Sequence, residues 1–271
     1  MDITNIARLF FQHRAREVES WEGREVPLQA EVLRSLLHKA QHTAFGKEYG
    51  FSELLAKGTD DLEERFAERV PLREYEDFRD YIMRMVEGGR DLLWPGVCRN
   101  FAQSSGTTGG RSKYLPITED SLKENHYKGA ACSVALYLKS NPSSRMFSGK
   151  GLVLGGSFAN EVANLKKGVV VGDLSATLIE RINPVANIFR VPDKRTALLS
   201  DWQEKLPLMA EKAASRNITN ISGVPSWMLQ VLRRVLEIKG ASSLKEVWPD
   251  LEVFFHGGIS FAPYREEYKS I

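Results

Sequence analysis

A cluster of hydroxyl, glycine and basic residues between Ser104 and Lys113 is the part of this sequence best suited to chemistry. Its members combine small polar side chains, glycines and two cations: Ser104, Ser105, Gly106, Thr107, Thr108, Gly109, Gly110, Arg111 and Lys113. Glycine lets the backbone turn tightly and approach a ligand closely. Amides, hydroxyls and cations in one segment suit a polyphosphate, whose charge is spread over many oxygen atoms.

Other interpretations of this segment can be compared with its spacing. The nucleotide-binding pattern G-x-x-x-x-G-K-[ST] fails, because Arg111 stands where Gly106 would require the second glycine. The dinucleotide pattern G-x-G-x-x-G is absent from the segment. Glycine, serine and threonine clusters are also typical of plain surface loops. The ordered pattern S-S-G-T-T-x-G-x-x-K-x-x-P-x-T, filled from Ser104 to Thr118, favours binding.

A serine hydrolase is the main alternative enzyme class. Gly155-Gly156-Ser157-Phe158-Ala159 follows a strand-like run and nearly matches the nucleophile elbow G-x-S-x-G. One of three acids, Asp173, Asp193 or Asp201, followed by His256, would complete a catalytic triad. Against this interpretation, Ala159 replaces the final glycine, and the chain reaches Lys166-Lys167-Gly168 before a full helix could form.

The Ser104–Lys113 segment resembles the ATP-phosphate loop of acyl-adenylating enzymes, the superfamily of firefly luciferase and the acyl-CoA synthetases. Its double serine, and the two residues between Gly110 and Lys113, are more similar to the auxin-responsive acyl-acid amido synthetases and their bacterial relatives. Weaker matches to that family are spread along the chain, at His42–Gly46, Val70-Pro71 with Tyr75, Gly223–Trp227, His256–Gly258, Phe261 and Pro263-Tyr264.

The resemblance implies ATP-dependent adenylation of a carboxylic acid with Mg²⁺, followed by acyl transfer to an amine such as an amino acid. Lys113 would be catalytic and would bind the phosphates together with the hydroxyls and glycines of its segment. His256, Gly257 and Gly258 would bind the nucleotide, and Val224 and Pro225 the acid. Val224-Pro225 is equally typical of a plain helix start. His256 could likewise be a histidine at the end of a strand whose side chain is hydrogen-bonded to the backbone. An acyl-CoA ligase-type second step and a non-catalytic nucleotide-binding protein also stay open.

The sequence departs from this family at its end. An aromatic-x-x-[ST]-Glu motif and a Tyr-Arg-x-Gly-Asp motif do not occur before Ile271, and Tyr264–Glu267 lacks the Gly-Asp. We therefore expect an incomplete N-terminal domain that, without its C-terminal portion, does not catalyse a complete acyl transfer. Apolar surface left at the missing edge would favour self-association or a partner.

Composition excludes several broad classes of protein. The 271 residues are 42% hydrophobic and 27% charged with a net charge of +2, which is ordinary for a globular domain and does not indicate nucleic-acid or membrane binding. The two cysteines, Cys98 and Cys132, form no disulfide framework. With no signal peptide at the N-terminus and no membrane-length apolar run, we expect a cytoplasmic protein.

The predicted elements form an α/β fold in which a helical N-terminal region, 1–95, precedes a mixed, partly parallel sheet flanked by helices, 96–271. Helical spacing predicts helices over residues 3–19, from Pro27 and from Tyr75. We expect all of 1–271 to form one incomplete domain, the N-terminal domain of an acyl-adenylating enzyme.

A strand, helix, strand order over the last part of the chain predicts a crossover unit. Asn217–Ser222 and Leu251–Phe255 are the strands, and the helix between them starts at Pro225. Ligands of such sheets gather at the carboxyl ends of the strands. We expect the 104–113 segment, Ser222-Gly223 and His256–Gly258 to lie at such ends and to share a site.

Overall fold

The computed structural model describes residues 2–58, 61–104, 113–158 and 168–271. The α-helices in chain order are α1 (Thr4–Glu19), α2 (Glu25–Ala40), α3 (Ala44–Glu48), α4 (Phe51–Ala56), α5 (Leu62–Arg69), α6 (Tyr75–Val86), α7 (Lys128–Ser140), α8 (Leu174–Glu180), α9 (Pro184–Ile188), α10 (Lys194–Ala197), α11 (Trp202–Ala214), α12 (Pro225–Lys239), α13 (Leu244–Val247) and α14 (Arg265–Lys269). A π-helical segment, Ser121–Tyr127, leads into α7, and a 3-10 turn, Ala262–Tyr264, precedes α14.

The strands in chain order are β1 (Asn100–Ser104), β2 (Lys113–Ile117), β3 (Lys150–Val153), β4 (Val170–Gly172), β5 (Arg190–Val191), β6 (Ile218–Gly223) and β7 (Val253–His256). They form a three-stranded sheet in the order β2-β1-β4 and a four-stranded sheet in the order β5-β3-β6-β7. The helical N-terminal region and the α/β character of the rest are thus confirmed.

The chain divides into two compact units. The hairpin unit comprises 15–129 and 160–171, and the parallel-sheet unit comprises 1–14, 130–159 and 172–271. A family domain can contain more than one compact unit, so the single domain over 1–271 stays a prediction.

The hairpin unit is built on α6 and the antiparallel pair β1–β2. Helical spacing places Ile82, Met85 and Val86 on one face of α6, and all three are buried. They form one apolar cluster with Phe101 of β1 and Tyr114 of β2. The burial of this face holds α6 against the pair of strands that begins and ends the Ser104–Lys113 segment.

The parallel-sheet unit contains the predicted crossover. β6 pairs in parallel with both β3 and β7, and β3 pairs in parallel with β5. Buried residues of α11 and α12 pack with the sheet as one core: Met209, Ala210, Ala213, Met228, Val231, Leu232, Val235, Ile218 and Ile221. The predicted strand, helix, strand unit is confirmed, with α12 as the connecting helix between β6 and β7.

Two separate sheets replace the single mixed sheet that we predicted. β1 and β2 are antiparallel and belong to the three-stranded sheet. The expectation that the 104–113 segment follows a strand of the parallel sheet is therefore wrong. Chain length explains the antiparallel pairing of β1 with β2, because a parallel neighbour needs a crossover of a dozen or more residues and the segment between these strands is shorter.

Within the described ranges, every helix is too short or too polar to cross a lipid bilayer.

Candidate functional site

The predicted phosphate segment begins and ends on a pair of hydrogen-bonded strands. Ser104, the last residue of β1, is the register partner of Lys113, the first residue of β2. Both residues are partly buried. Ser105, Gly106, Thr107, Thr108, Gly109 and Gly110 lie outside the described residues. The structure therefore places the serine and the lysine at the two ends of this motif side by side.

Tyr75, the first residue of α6, holds the start of β2. Its hydroxyl accepts a hydrogen bond from the backbone N–H of Tyr114 at 2.8 Å and lies 3.3 Å from the Tyr114 carbonyl oxygen, to which it can donate. The same ring lies 5.3 Å from the Nζ of Lys113, within range of a cation–π interaction. Tyr75 therefore fixes the backbone next to Lys113 and offers its ammonium group a defined position.

The helix start that carries Tyr75 is itself capped. The carboxylate of Asp77 accepts a hydrogen bond from the backbone N–H of Glu74 at 2.7 Å. An acid in the first turn also suits the positive end of the helix dipole. Tyr75 thus projects from an anchored helix end. The sequence had indicated Tyr75 only as the start of a helix and as part of a weak family match, and had not indicated its contact with β2.

The second group of predicted residues lies at the carboxyl ends of β6 and β7. Gly223 and His256 are register partners at the ends of these parallel strands. A Cβ on Gly258 would approach Cγ2 of Val224 to 3.2 Å. The predicted acid-binding and nucleotide-binding residues of this unit therefore meet at one edge of the sheet.

Gly257 and Gly258 differ in the reason why a glycine stands at each position. Gly258 has φ of +82°, a left-handed conformation that residues with a side chain rarely adopt. A Cβ on Gly257 would meet no atom of the described residues within 4 Å. The left-handed backbone therefore explains the glycine at 258. At 257 the described residues leave space beside the backbone for a flat ligand.

Aromatic side chains pack against the residues at this edge of the sheet. The His256 ring stacks on Phe261 with centroids 4.8 Å apart. Tyr268 of α14 donates its hydroxyl to the carbonyl oxygen of Pro225 at 2.8 Å, and burial raises the pKa of Tyr268. These contacts tie the chain after β7 to the start of α12, where Val224 and Pro225 lie.

The predicted hydrolase residues have other roles in the structure. Phe158, the residue after Ser157, forms an antiparallel bridge with Gly172, whereas a nucleophile elbow would begin a helix at that point. The three candidate acids, Asp173, Asp193 and Asp201, each occupy a helix N-cap position. His256 packs against aromatic rings. This geometry lacks the strand-turn-helix elbow that positions a nucleophilic serine.

Lys205 on α11 is a buried charged residue that the sequence analysis did not single out. Only 3% of it is exposed, and its Nζ donates to the carbonyl oxygens of Gly155 at 2.7 Å and Gly156 at 3.2 Å. A signal was available, because Lys205 falls three residues after Trp202 on the apolar face that continues to Met209.

Comparison with known proteins agrees with the resemblance inferred from the sequence. A family model described as the GH3 family N-terminal domain matches residues 14–271. The probable indole-3-acetic acid-amido synthetase GH3.13 of Oryza sativa subsp. japonica is 34% identical over 108 residues, which are 39% of this chain and 23% of that protein. Probable indole-3-acetic acid-amido synthetase GH3.7 of the same plant is 35% identical over 98 residues, which are 35% of this chain and 16% of that protein. The chain thus matches less than a quarter of either relative's length.

Solved structures of similar fold belong to the same group. GH3.15 acyl acid amido synthetase superposes with a TM-score of 0.68 at 18% identity, covering 95% of this chain and 54% of that chain. A structure of AtGH3.15 acyl acid amido synthetase in complex with 2,4-DB gives 0.67 at 18% identity, covering 90% of this chain and 50% of that one. The fold is therefore shared, and because the family model spans most of the sequence, the chain belongs to the GH3 acyl acid amido synthetase family and corresponds to its N-terminal portion.

Proposed function

We propose that this chain takes part in ATP-dependent adenylation of a carboxylic acid and in transfer of the acyl group to an amine, such as that of an amino acid. In the first step a carboxylate oxygen attacks the α-phosphorus of ATP, the bond to the β-phosphate breaks, and pyrophosphate leaves. In the second step the amine nitrogen attacks the carbonyl carbon of the acyl-adenylate, AMP leaves, the nitrogen loses a proton, and an amide forms.

Phosphate recognition is assigned to residues Ser104 to Lys113. The observation that carries the proposal is the complete S-S-G-T-T-x-G-x-x-K pattern in a member of this family, with its first serine and its lysine paired across β1 and β2. The hydroxyls and the Lys113 ammonium would bind the β- and γ-phosphates and stabilise the negative charge of departing pyrophosphate. Tyr75 supports this role because it orients both the backbone and the cation at the start of β2.

Mg²⁺ fits this assignment as a metal held chiefly by the nucleotide. Among the described residues, no group of three or more His, Cys, Asp or Glu side chains could hold a metal ion. Mg²⁺ is commonly bound through substrate phosphates, water and few protein oxygens. The hydroxyl groups of the 104–113 segment suit such a site, and when bound the ion would neutralise phosphate charge and make the α-phosphorus more electrophilic.

The acid and the adenosine are assigned to the carboxyl ends of β6 and β7. Val224 and Pro225 would contact the acid with an apolar surface at the start of α12. Gly257 and Gly258, with His256 beside them, would bind the adenosine. The open space above Gly257 supports this assignment, because a base can lie flat against a backbone that has no side chain.

The relatives suggest which substrates to test first. The similar plant proteins are named for conjugation of indole-3-acetic acid, and one solved structure holds 2,4-DB. An arylalkanoic acid is therefore the first substrate class to try for this chain, with free amino acids as acceptors.

Two assays test the proposal with the protein at its full natural length. Labelled pyrophosphate should exchange into ATP only when a suitable carboxylic acid is present, over a panel that includes indole-3-acetic acid and 2,4-DB. Amide products should then appear only after an amino acid is added, while coenzyme A used as the acceptor should give no thioester.

Other outcomes would replace this function with a different one. Covalent labelling of Ser157 by a fluorophosphonate, lost in Ser157→Ala, together with no pyrophosphate exchange, would indicate a hydrolase. Binding of Mg-ATP without exchange for any acid would indicate a nucleotide-binding protein without adenylation chemistry.

A further inference from the structure

The turn Gly155–Ser157 after β3 is held by side chains from two other elements. The backbone N–H of Gly156 donates to Oγ of Ser175 at 2.8 Å, and that of Ser157 donates to Oδ2 of Asp173 at 2.9 Å. The carbonyl oxygens of Gly155 and Gly156 accept from Lys205 on α11. Four consecutive polar groups of this backbone therefore have fixed partners, two of them supplied by a single ammonium.

Burying the ammonium of Lys205 is costly unless it is well bonded. Burial lowers its pKa, and the negative charge of Asp173 opposes that shift. Two carbonyl oxygens, rather than a carboxylate, are its bonded partners in the described structure. An aliphatic side chain of similar length would fill this position without the desolvation cost. The presence of a lysine therefore indicates that its hydrogen bonds are needed to keep the backbone of the turn in this geometry.

The turn also has close neighbours in α8 and its N-cap residue. A Cβ on Gly155 would come within 2.3 Å of Cδ1 of Ile179, and a Cβ on Gly156 within 1.9 Å of Oδ2 of Asp173. Both distances are well inside normal contact. The glycines therefore let α8 approach the turn closely from one side, and Lys205 holds the turn through its carbonyls from α11.

The held turn adjoins the edge that carries the predicted acid-binding residues. Leu154, the residue just before the turn, donates its N–H to the carbonyl oxygen of Ser222 at 2.8 Å. A Cβ on Gly223 would come within 2.9 Å of the Leu154 Cβ. The turn follows β3, whose neighbour in the sheet is β6. In the strand order β5-β3-β6-β7, β6 separates β3 from β7.

We infer that Lys205 is a positioning residue that holds the Gly155–Ser157 turn as a wall of the acid-binding site beside Val224 and Pro225. This inference rests on the proposed function. Its consequence is selective: loss of Lys205 should impair use of the acid more than use of ATP, because in the described structure the turn lies beside the end of β6, which leads to Val224 and Pro225, and is separated from β7 by β6.

The test compares Lys205→Met with Lys212→Met in the protein at its full natural length, by acid-dependent pyrophosphate exchange. Lys212 lies on the same helix but is exposed and paired with Asp193, so it controls for losing a lysine from α11. Lys205→Met should raise the KM for the acid by roughly ten- to hundredfold, in line with the cost of small misplacements, with a much smaller change in the KM for ATP. Lys212→Met should change neither constant.

A second variant keeps the inference testable if Lys205→Met does not fold. Ser175→Ala removes the partner of the Gly156 N–H and leaves Lys205 intact, and it should raise the KM for the acid in the same selective way, by a smaller factor. An unchanged acid KM in folded Lys205→Met, or equal rises for acid and ATP, would overturn the inference. If Lys205→Met is unfolded, an unchanged acid KM in Ser175→Ala would overturn it. If the wild-type protein gives no exchange with any acid, the proposed function fails and this inference falls with it.

Discussion

The two segments that carry the predicted site residues are built in different ways. The β1–β2 pair presents a lysine at the start of a strand, held by one tyrosine through a hydroxyl and a ring face. The carboxyl edge of the parallel sheet presents backbone, with glycines and a proline kept in place by buried Lys205 and half-buried Tyr268. The first arrangement orients a charge, and the second defines a surface.

This difference indicates how each segment should respond to mutation. A cation on a flexible stem acts through its charge, so its loss should weaken anion binding and leave the fold intact. A backbone surface acts through its shape, so an added methyl group should matter at one position and not at the next. The predictions below follow this contrast from the largest expected effect to the smallest.

Lys113→Ala should weaken Mg-ATP binding by about 1.5–3 kcal/mol, because a charge-assisted contact to phosphate is lost. Isothermal calorimetry measures the change directly. Lys47→Ala, which removes an exposed lysine from α3 of the same unit, is the matched control and should bind as the wild type does. Equal affinity of Lys113→Ala and wild type would remove Lys113 from the phosphate site.

The two neighbouring glycines after β7 should separate stability from binding. Gly258→Ala should lower the free energy of unfolding by about 1–2 kcal/mol, because its φ of +82° disfavours a side chain. Gly257→Ala should leave stability unchanged, since the added Cβ meets no atom of the part of the chain that the structure describes within 4 Å, but should weaken ATP binding. Urea unfolding and calorimetry on both variants check this, and normal ATP affinity in Gly257→Ala would contradict the base platform.

Tyr75→Phe should lower the free energy of unfolding by about 1 kcal/mol, because the backbone groups of Tyr114 lose their hydroxyl partner. It should also weaken ATP binding slightly, since the start of β2 is less well held while the ring beside Lys113 remains. Tyr81→Phe removes a hydroxyl that donates to the exposed carboxylate of Glu48 rather than to the backbone, so it is the control for loss of a tyrosine hydroxyl from α6 in thermal unfolding. A loss of ATP affinity as large as that of Lys113→Ala would show that the hydroxyl itself contacts the nucleotide.

Asp193 should make a small contribution to stability that depends on pH. Burial opposes the shift, but hydrogen bonds from Lys212 and Thr196 lower the pKa of Asp193 from 3.8 to about 2. A lowered folded-state pKa stabilises the protein fully above about pH 4 and loses its effect as pH falls toward 2. Asp193→Asn should therefore cost less than about 1 kcal/mol near neutral pH, because the pair is largely exposed. The difference from wild type should disappear in unfolding curves measured near pH 2.

Local sequence patterns were sufficient for several of the longer helices and for the strands β6 and β7. Apolar residues at helical spacing predicted α1 and the starts of α6 and α12 close to their observed positions, because burial of one helix face leaves a periodic pattern in the sequence. The crossover from β6 through α12 to β7 followed from the same patterns. The ordered spacing from Ser104 to Lys113 likewise pointed to the family that the comparisons confirmed.

Contacts between distant residues decided the rest. The sequence placed β1 and β3 in one mixed sheet, but strand pairing depends on loop length and on partners far along the chain, and two sheets form. Lys205 lies about fifty residues from the carbonyls that it binds, so its role could not be read from local spacing. The hydrogen bond between the Tyr75 hydroxyl and the backbone of Tyr114 depends on the packing of α6 against β2, which no local pattern indicates. By itself the sequence determined the family, several of the longer helices and the residue types at the candidate site. Tertiary structure decided which of those residues are held together, because non-local contacts leave no periodic signal in the chain.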